Sequence, residues 1–192
     1  PEGWHADQEM VLNFYNHRRQ QLKTAQPNLG HQALVSLEEK YDVTIITQNV
    51  DDLHERAGSS NIIHLHGELT KVRSCTHPEL VYDWTEELKT GDLCERGGQL
   101  RPHIVWFGEA VPMLEKAADI MTRVNRIIII GTSMQVYPAA SLTAYASRDI
   151  PIHYIDPYPS VNHELMLAQN LEIIESPATK GVPKLVERLL LS

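Results

Sequence analysis

The chain reads as an α/β protein built on a mostly parallel β-sheet, and three observations carry that reading. Four short apolar runs, residues 43–46, 127–130, 152–155 and 171–174, are rich in β-branched side chains, as strands buried on both faces require. Each of the last three leads through a polar loop into a stretch with helical spacing. Repeated strand–loop–helix units imply parallel strands joined by right-handed crossovers. The polar loops then fall at the carboxyl ends of strands, where open α/β sheets bind ligands.

The elements follow in order. Met10, Val11, Phe14, Arg18 and Leu22 recur at helical spacing and predict a helix over residues 8–22. Tyr15 and Arg18, three apart, share a face of it. Pro27 and Asn28 break that helix, and a second runs through Ala33, Leu34 and Leu37. The run 43–46 stops abruptly at Gln48, Asn49 and Asp51, and His66, backed by Gly67, follows shortly after. Residues 70–102 break the pattern: they are polar, turn-rich and contain both cysteines. They read as a small inserted module, leaving 1–69 and 103–192 as the main domain. An apolar run resumes over residues 103–107. The loops 131–133, 156–160 and 176–181 are expected to gather on one sheet edge with residues 48–51.

The totals set bounds. A chain of 192 residues that is 42% apolar makes one large domain, or a domain with a smaller insert. A formal charge of −8, from 25 acids against 17 bases, does not suit nucleic acid phosphates. No apolar run is long enough to span a bilayer, and no signal peptide is expected. Two cysteines make no disulfide framework, which points to a reducing cytoplasm. The chain opens on Pro1 without a Met and is expected to begin inside a longer protein.

Several residues suit chemistry, and each has a plainer reading. Gly131, Thr132 and Ser133 could let a phosphate approach the backbone, or form an ordinary βα turn. Gln48 and Asn49 offer amides for ribose hydroxyls or a carboxamide, or serve as turn residues. His66 could take a proton from a hydroxyl, or be a packed imidazole with a satisfied ring. His64 with His66 raises a metal reading, for which no further distant ligand is obvious. Cys75 and Cys94 stand alone without CxxC spacing, which argues against a structural zinc. Tyr15 with Arg18 could clamp a carboxylate, or Arg18 could simply be solvated.

Four stretches, Thr47 to His54, His64 to Glu68, Leu100 to Glu109 and Gly131 to Ala139, together resemble the sirtuins in content, order and spacing. The sirtuins are NAD-dependent protein-lysine deacylases, and the resemblance covers nearly the whole chain. The stretch from Phe14 to Arg19 looks like the bacterial branch that also removes acidic acyl groups. The resemblance implies a Rossmann-like domain with helices on both faces of the sheet, and a small module. It implies that Gln48, Asn49, Val50 and Asp51 contact the nicotinamide side of NAD. Gly131, Thr132 and Ser133 would hold the phosphate and adenosine ribose, with Asp156, Pro157, Tyr158 and Ala178 on the adenosine half. His66 matches the general base. Val105, Phe107, Gly108 and Glu109 match the strand that pairs with an acyl-lysine peptide, a β-augmentation mode. Tyr15 and Arg18 match the pair that reads a succinyl or malonyl carboxylate.

The implied reaction displaces nicotinamide by the acyl oxygen and yields free lysine, nicotinamide and acyl-ADP-ribose. The alternatives are a catalytically impaired NAD or ADP-ribose binding module and a mono-ADP-ribosyltransferase. The sequence departs from the family pattern in three ways. The family's N-terminal glycine-rich strand-turn is absent, the zinc cysteines are mostly missing, with Arg96 where one of them would stand, and Asp156 replaces an Asn.

Overall fold

The computed structural model describes all of residues 1–192. The elements are α1 (Glu2–Ala6), α2 (Gln8–Thr24), α3 (Leu29–Leu37), β1 (Ile45–Thr47), α4 (Leu53–Ala57), β2 (Ile62–His64), β3 (Gly67–Ser74), β4 (Val81–Asp83), β5 (Leu100–Ile104), α5 (Leu114–Met121), β6 (Ile127–Ile130), a 3-10 helix (Ala139–Tyr145), β7 (Pro151–Asp156), α6 (His163–Met166), β8 (Asn170–Glu175) and α7 (Ala178–Leu191). They fall into two compact units. The first comprises residues 1–26, 47–53 and 64–111; the second comprises 27–46, 54–63 and 112–192.

The second unit holds the parallel sheet, in the order β6-β7-β8. Ile127 lies opposite Ile152, and Ile152 opposite Leu171. The middle strand is the most buried, and Tyr154 and Ile155 on it are fully enclosed. Leu34 and Leu37 of α3 and Val182, Leu185, Val186 and Leu189 of α7 form one core with Ile45 and Ile155. Burying each such side chain contributes roughly 1.5–3 kcal/mol. Asn28 starts α3 by accepting from Gly30 N at 2.8 Å, and the His31 ring returns a bond to Asn28 N at 3.2 Å. This is an α/β fold of Rossmann-like kind.

Two sequence expectations are corrected in this unit. The four apolar runs do not share one sheet, because β1 pairs with β2 in a separate two-stranded sheet. Ile45 N bonds Asn61 O and Thr47 O accepts from Leu65 N, both at 2.9 Å, so the two strands advance together and are parallel. Apolar content identifies a strand but does not choose its partner. The expected loop 176–181 is also mostly helix. Pro177, with φ −58°, sets up the first turn, and Ala178 already belongs to α7.

The first unit is an antiparallel sheet, order β4-β3-β5, with α1 and α2. Trp4, Leu12, Val72, Leu88, Cys94 and Leu100 make its core, with Trp84 and Trp106 packed on it. Asp7 caps α2 by accepting from Met10 N at 2.9 Å. The face that α2 buries takes only part of its apolar set. Met10 and Phe14 are 57% and 56% exposed, while Leu12, Arg19 and Leu22 are buried. Polar groups explain the difference. Arg19 donates to the Leu69 and Glu86 carbonyls at 3.1 and 3.3 Å, and Asn16 both donates to Leu88 O and accepts from Leu88 N at 2.9 Å. These bonds offset much of the cost of enclosing them, although Arg19 Nη2 stays buried without a partner and burial lowers the pKa of the guanidinium.

The segment 70–102 is bounded by β3 and β5, which extend beyond it on both sides. At its closed end the buried Ser74 Oγ accepts from the amides of Thr76 and His77 and from the Cys94 thiol, at 3.2–3.3 Å. No three His, Cys, Asp or Glu side chains gather there or elsewhere as metal ligands would.

Candidate functional site

The loop leaving β1 is pinned by its carbonyls. Thr47 O accepts from Leu65 N at 2.9 Å and Val50 O from Leu69 N at 2.7 Å. Between them, Gln48 O faces His66 Nδ1 and Asn49 O faces His64 Nδ1, both at 3.2 Å. Asp51 Oδ1 accepts from Leu53 N at 3.1 Å and so starts α4. With the backbone committed, the side chains of Gln48 and Asn49 make no hydrogen bond within the chain. They line a cavity of about 420 Å³ with Val50, Asp51, Leu53 and Leu69, with Arg18, Gln21 and Leu22 of α2, and with Ala25 just past its end. Free carboxamides and a carboxylate around a cavity of that size fit a ribose and a carboxamide.

A carbonyl oxygen cannot donate. The His66–Gln48 contact is therefore a hydrogen bond only if Nδ1 carries the proton, which leaves the Nε2 lone pair available as a base. Gly67, the next residue, is fixed by its backbone. Its φ is +85°, and a Cβ there would lie 1.9 Å from His103 O, so only glycine allows β3 to run so close to β5. The His66 carbonyl in turn accepts from Val105 N at 2.9 Å.

Residues 105–109 follow β5 as a turn rather than continuing as the expected strand, with Glu109 N bonded to Trp106 O at 3.0 Å. Phe107 is 91% exposed at the tip. The Glu109 carboxylate folds back onto Arg101 at 2.7 Å, Arg73 at 3.2 Å and the Trp106 amide at 2.8 Å. Burial would raise this carboxyl, but bonds from Arg101 and the Trp106 amide, with both arginine charges, hold it below the usual range.

On α2, Tyr15 is half-buried and accepts from the Trp106 indole N–H at 2.9 Å. Burial pushes its phenol up, against the Trp106 bond and the nearby Arg101 and Arg18, so it stays neutral at physiological pH. Arg18 is exposed, and no carboxylate pairs with it. Trp106 carries no role in the sequence reading, although it lies within the Leu100 to Glu109 stretch.

In the second unit, the ends of β6 and β7 meet. Gly131, with φ +61°, donates to Ile155 O at 2.9 Å, and a Cβ built on it would touch nothing within 4 Å. Thr132 O accepts from Tyr154 Oη at 2.7 Å, and that hydroxyl accepts from Ser160 N at 3.1 Å. Asp156 Oδ1 receives Tyr158 N at 2.7 Å, forming a turn around Pro157. Ser133 and Tyr158 are exposed. Ala178 packs against the core at the start of α7. Open backbone at Gly131 beside exposed hydroxyls fits a phosphate or ribose.

Known proteins resemble this chain over nearly its whole length. Residues 1–138 match the model of the Sir2 family. The NAD-dependent protein deacylase of Helicobacter pylori (strain ATCC 700392 / 26695) is 53% identical over 190 residues, 99% of this chain and 82% of the relative. That of Bacteroides thetaiotaomicron is 47% identical over 196 residues, covering 99% and 82%. Among solved structures, a Sir2 homolog–NAD complex superposes with a TM-score of 0.88 at 38% identity, covering 100% of this chain and 77% of the other. Sir2Tm bound to a propionylated peptide gives 0.82 at 27% identity, covering 100% and 83%. The chain belongs to the Sir2 family.

Proposed function

We propose that this NAD-dependent protein deacylase acts on acyl-lysine side chains, with succinyl and malonyl groups among those it removes, and with His66 as its general base. Deacylase activity and use of NAD follow from family membership and from the named activity of relatives with about half their residues in common. Bound NAD would supply an electrophilic ribose carbon and nicotinamide as leaving group.

The remaining work falls to residues of this chain. Gln48, Asn49, Val50 and Asp51 would orient the nicotinamide side, since their side chains or backbone border the cavity. Gly131, Thr132, Ser133, Asp156, Pro157, Tyr158 and Ala178 are assigned to the phosphate and adenosine side. His66, with Nδ1 bonded to Gln48 O, would accept a hydroxyl proton at Nε2. That fixed tautomer favours an active enzyme over an impaired binding module. Val105, Phe107, Gly108 and Glu109 would present backbone to an acyl-lysine peptide, the kind of ligand held by a solved relative. The Glu109 carboxylate, already shared by two arginines, supports that turn. Two free thiols, Cys75 and Cys94, suit a reducing cytoplasm.

One observation carries the acidic-acyl reading. Arg18 borders the cavity that holds Gln48 and Asn49, and it has no carboxylate partner of its own. A charge-assisted bond to a substrate carboxylate contributes roughly 1.5–3 kcal/mol. Arg18→Met should therefore lower kcat/KM for a succinyl-lysine peptide about tenfold to a hundredfold more than for the acetyl form. Equal losses on the two peptides would reject the reading.

A further inference from the structure

Within the Leu100 to Glu109 stretch, Trp106 has no assigned role, yet its contacts are well defined. Its amide donates to Glu109 at 2.8 Å. The Arg101 guanidinium lies 3.3 Å from its ring centroid, and the same guanidinium is held by Glu109 at 2.7 Å and by Ile104 O at 3.0 Å. Trp4 packs against the indole with ring centroids 5.7 Å apart. The ring is thus stacked on a cation held by Glu109 and Ile104 O, with its backbone tied to the same carboxylate. The remaining polar atom, Nε1, donates to Tyr15 Oη at 2.9 Å.

That bond has a chemical consequence. A phenol has one proton to give and lone pairs to accept with. An indole N–H can only donate. With one lone pair of Tyr15 occupied by Trp106, the phenolic O–H is left to donate elsewhere. The Tyr15 hydroxyl makes no other hydrogen bond, and Arg18, one turn along α2, brings a positive charge to the same face.

We infer that Trp106 is a positioning residue for acyl-group selection: it aims the Tyr15 hydroxyl at the carboxylate of an acidic acyl chain, beside Arg18. The inference rests on the acidic-acyl reading above, and the test separates the two. Trp106→Phe keeps the ring over Arg101 and removes only the N–H. It should lower the succinyl-to-acetyl ratio of kcat/KM about three- to tenfold, mainly through KM, the size expected for one neutral hydrogen bond. Tyr15→Phe should lower it similarly, and the double variant should fall no further than either alone. Loss of the Trp106 donor should also move the Tyr15 phenol titration upward, a change that simple loosening of the fold would not produce.

A second measurement needs no tryptophan variant. In the unaltered protein, the Trp106 indole N–H resonance should shift on adding a succinyl-lysine peptide and stay in place with an acetyl-lysine peptide. In Tyr15→Phe that difference should vanish. An unchanged ratio in Trp106→Phe, with Arg18→Met still selective, would overturn the role of Trp106 alone. An unchanged ratio in Arg18→Met would overturn the acidic-acyl reading and this inference with it.

Discussion

His66 Nδ1 lies 3.2 Å from the carbonyl oxygen of Gln48, eighteen residues earlier in the chain. The loop proposed to hold the nicotinamide side thereby also favours the tautomer in which His66 Nε2 is free to act as the proposed base. Replacing His66 with Ala should cut deacylation kcat/KM by roughly a hundred- to ten-thousandfold, the usual contribution of a positioned general base. NAD binding, measured by calorimetry, should change far less. Deacylation within tenfold of the unaltered enzyme would remove His66 from that role.

Gly67 adjoins His66 where β3 runs close to β5, so a side chain there should disturb both stability and catalysis. In Gly67→Ala the new Cβ meets the His103 carbonyl at 1.9 Å in a left-handed backbone. The strain alone costs on the order of 1–3 kcal/mol, and the clash adds to it. Thermal unfolding should show a clearly lower Tm, with deacylation reduced even below the transition. An unchanged Tm would contradict the close approach of β3 to β5.

The cluster around Glu109 predicts an acid limit. Its folded pKa lies below the ordinary glutamate value of about 4.3. Between those two values the unfolded chain binds more protons, so stability rises with pH across the window. Above about pH 4.3 the contribution is complete, and it is lost as pH falls through the folded value. Glu109→Gln should flatten this part of a denaturant-derived stability curve. A slope equal to that of the unaltered protein would show that the cluster contributes nothing.

A second limit comes from His153 on β7. Its Nδ1–H faces Glu172 at 2.9 Å, and its Nε2 faces Arg126 Nη1 at 2.7 Å. The guanidinium can only donate, so this ring is neutral. Burial pushes its pKa down, outweighing the pull of Glu172. The unfolded chain then binds more protons below about pH 6.5, and stability declines from there toward the folded value. Arg126→Met should raise the His153 titration seen by NMR and soften that decline. An unmoved titration would reject the Arg126 contact.

Much of the fold was legible locally. The isoleucine run became β6, and the glycine and hydroxyl residues after it form an open turn at a parallel strand end, as read from the sequence. The same local signals left two features undecided. Apolar spacing marked α2 without choosing its buried face: Met10 and Phe14 lie exposed, and Asn16 and Arg19 take part of that face through partners 72 and 50 residues away. Run 43–46 looked like one more strand of the main sheet, but β1 pairs with β2.

The sequence by itself determined which residue types stand at strand ends, where the histidines fall, and what family they mark. Periodicity and turn chemistry are short-range properties, and they need no partner to be read. Tertiary structure alone decided which nitrogen of His66 is free, how Glu109 is shared by two arginines, and that Trp106 reaches Tyr15 across 91 residues of chain. Those outcomes depend on directional bonds between distant groups, and hydrophobic pattern carries no record of them.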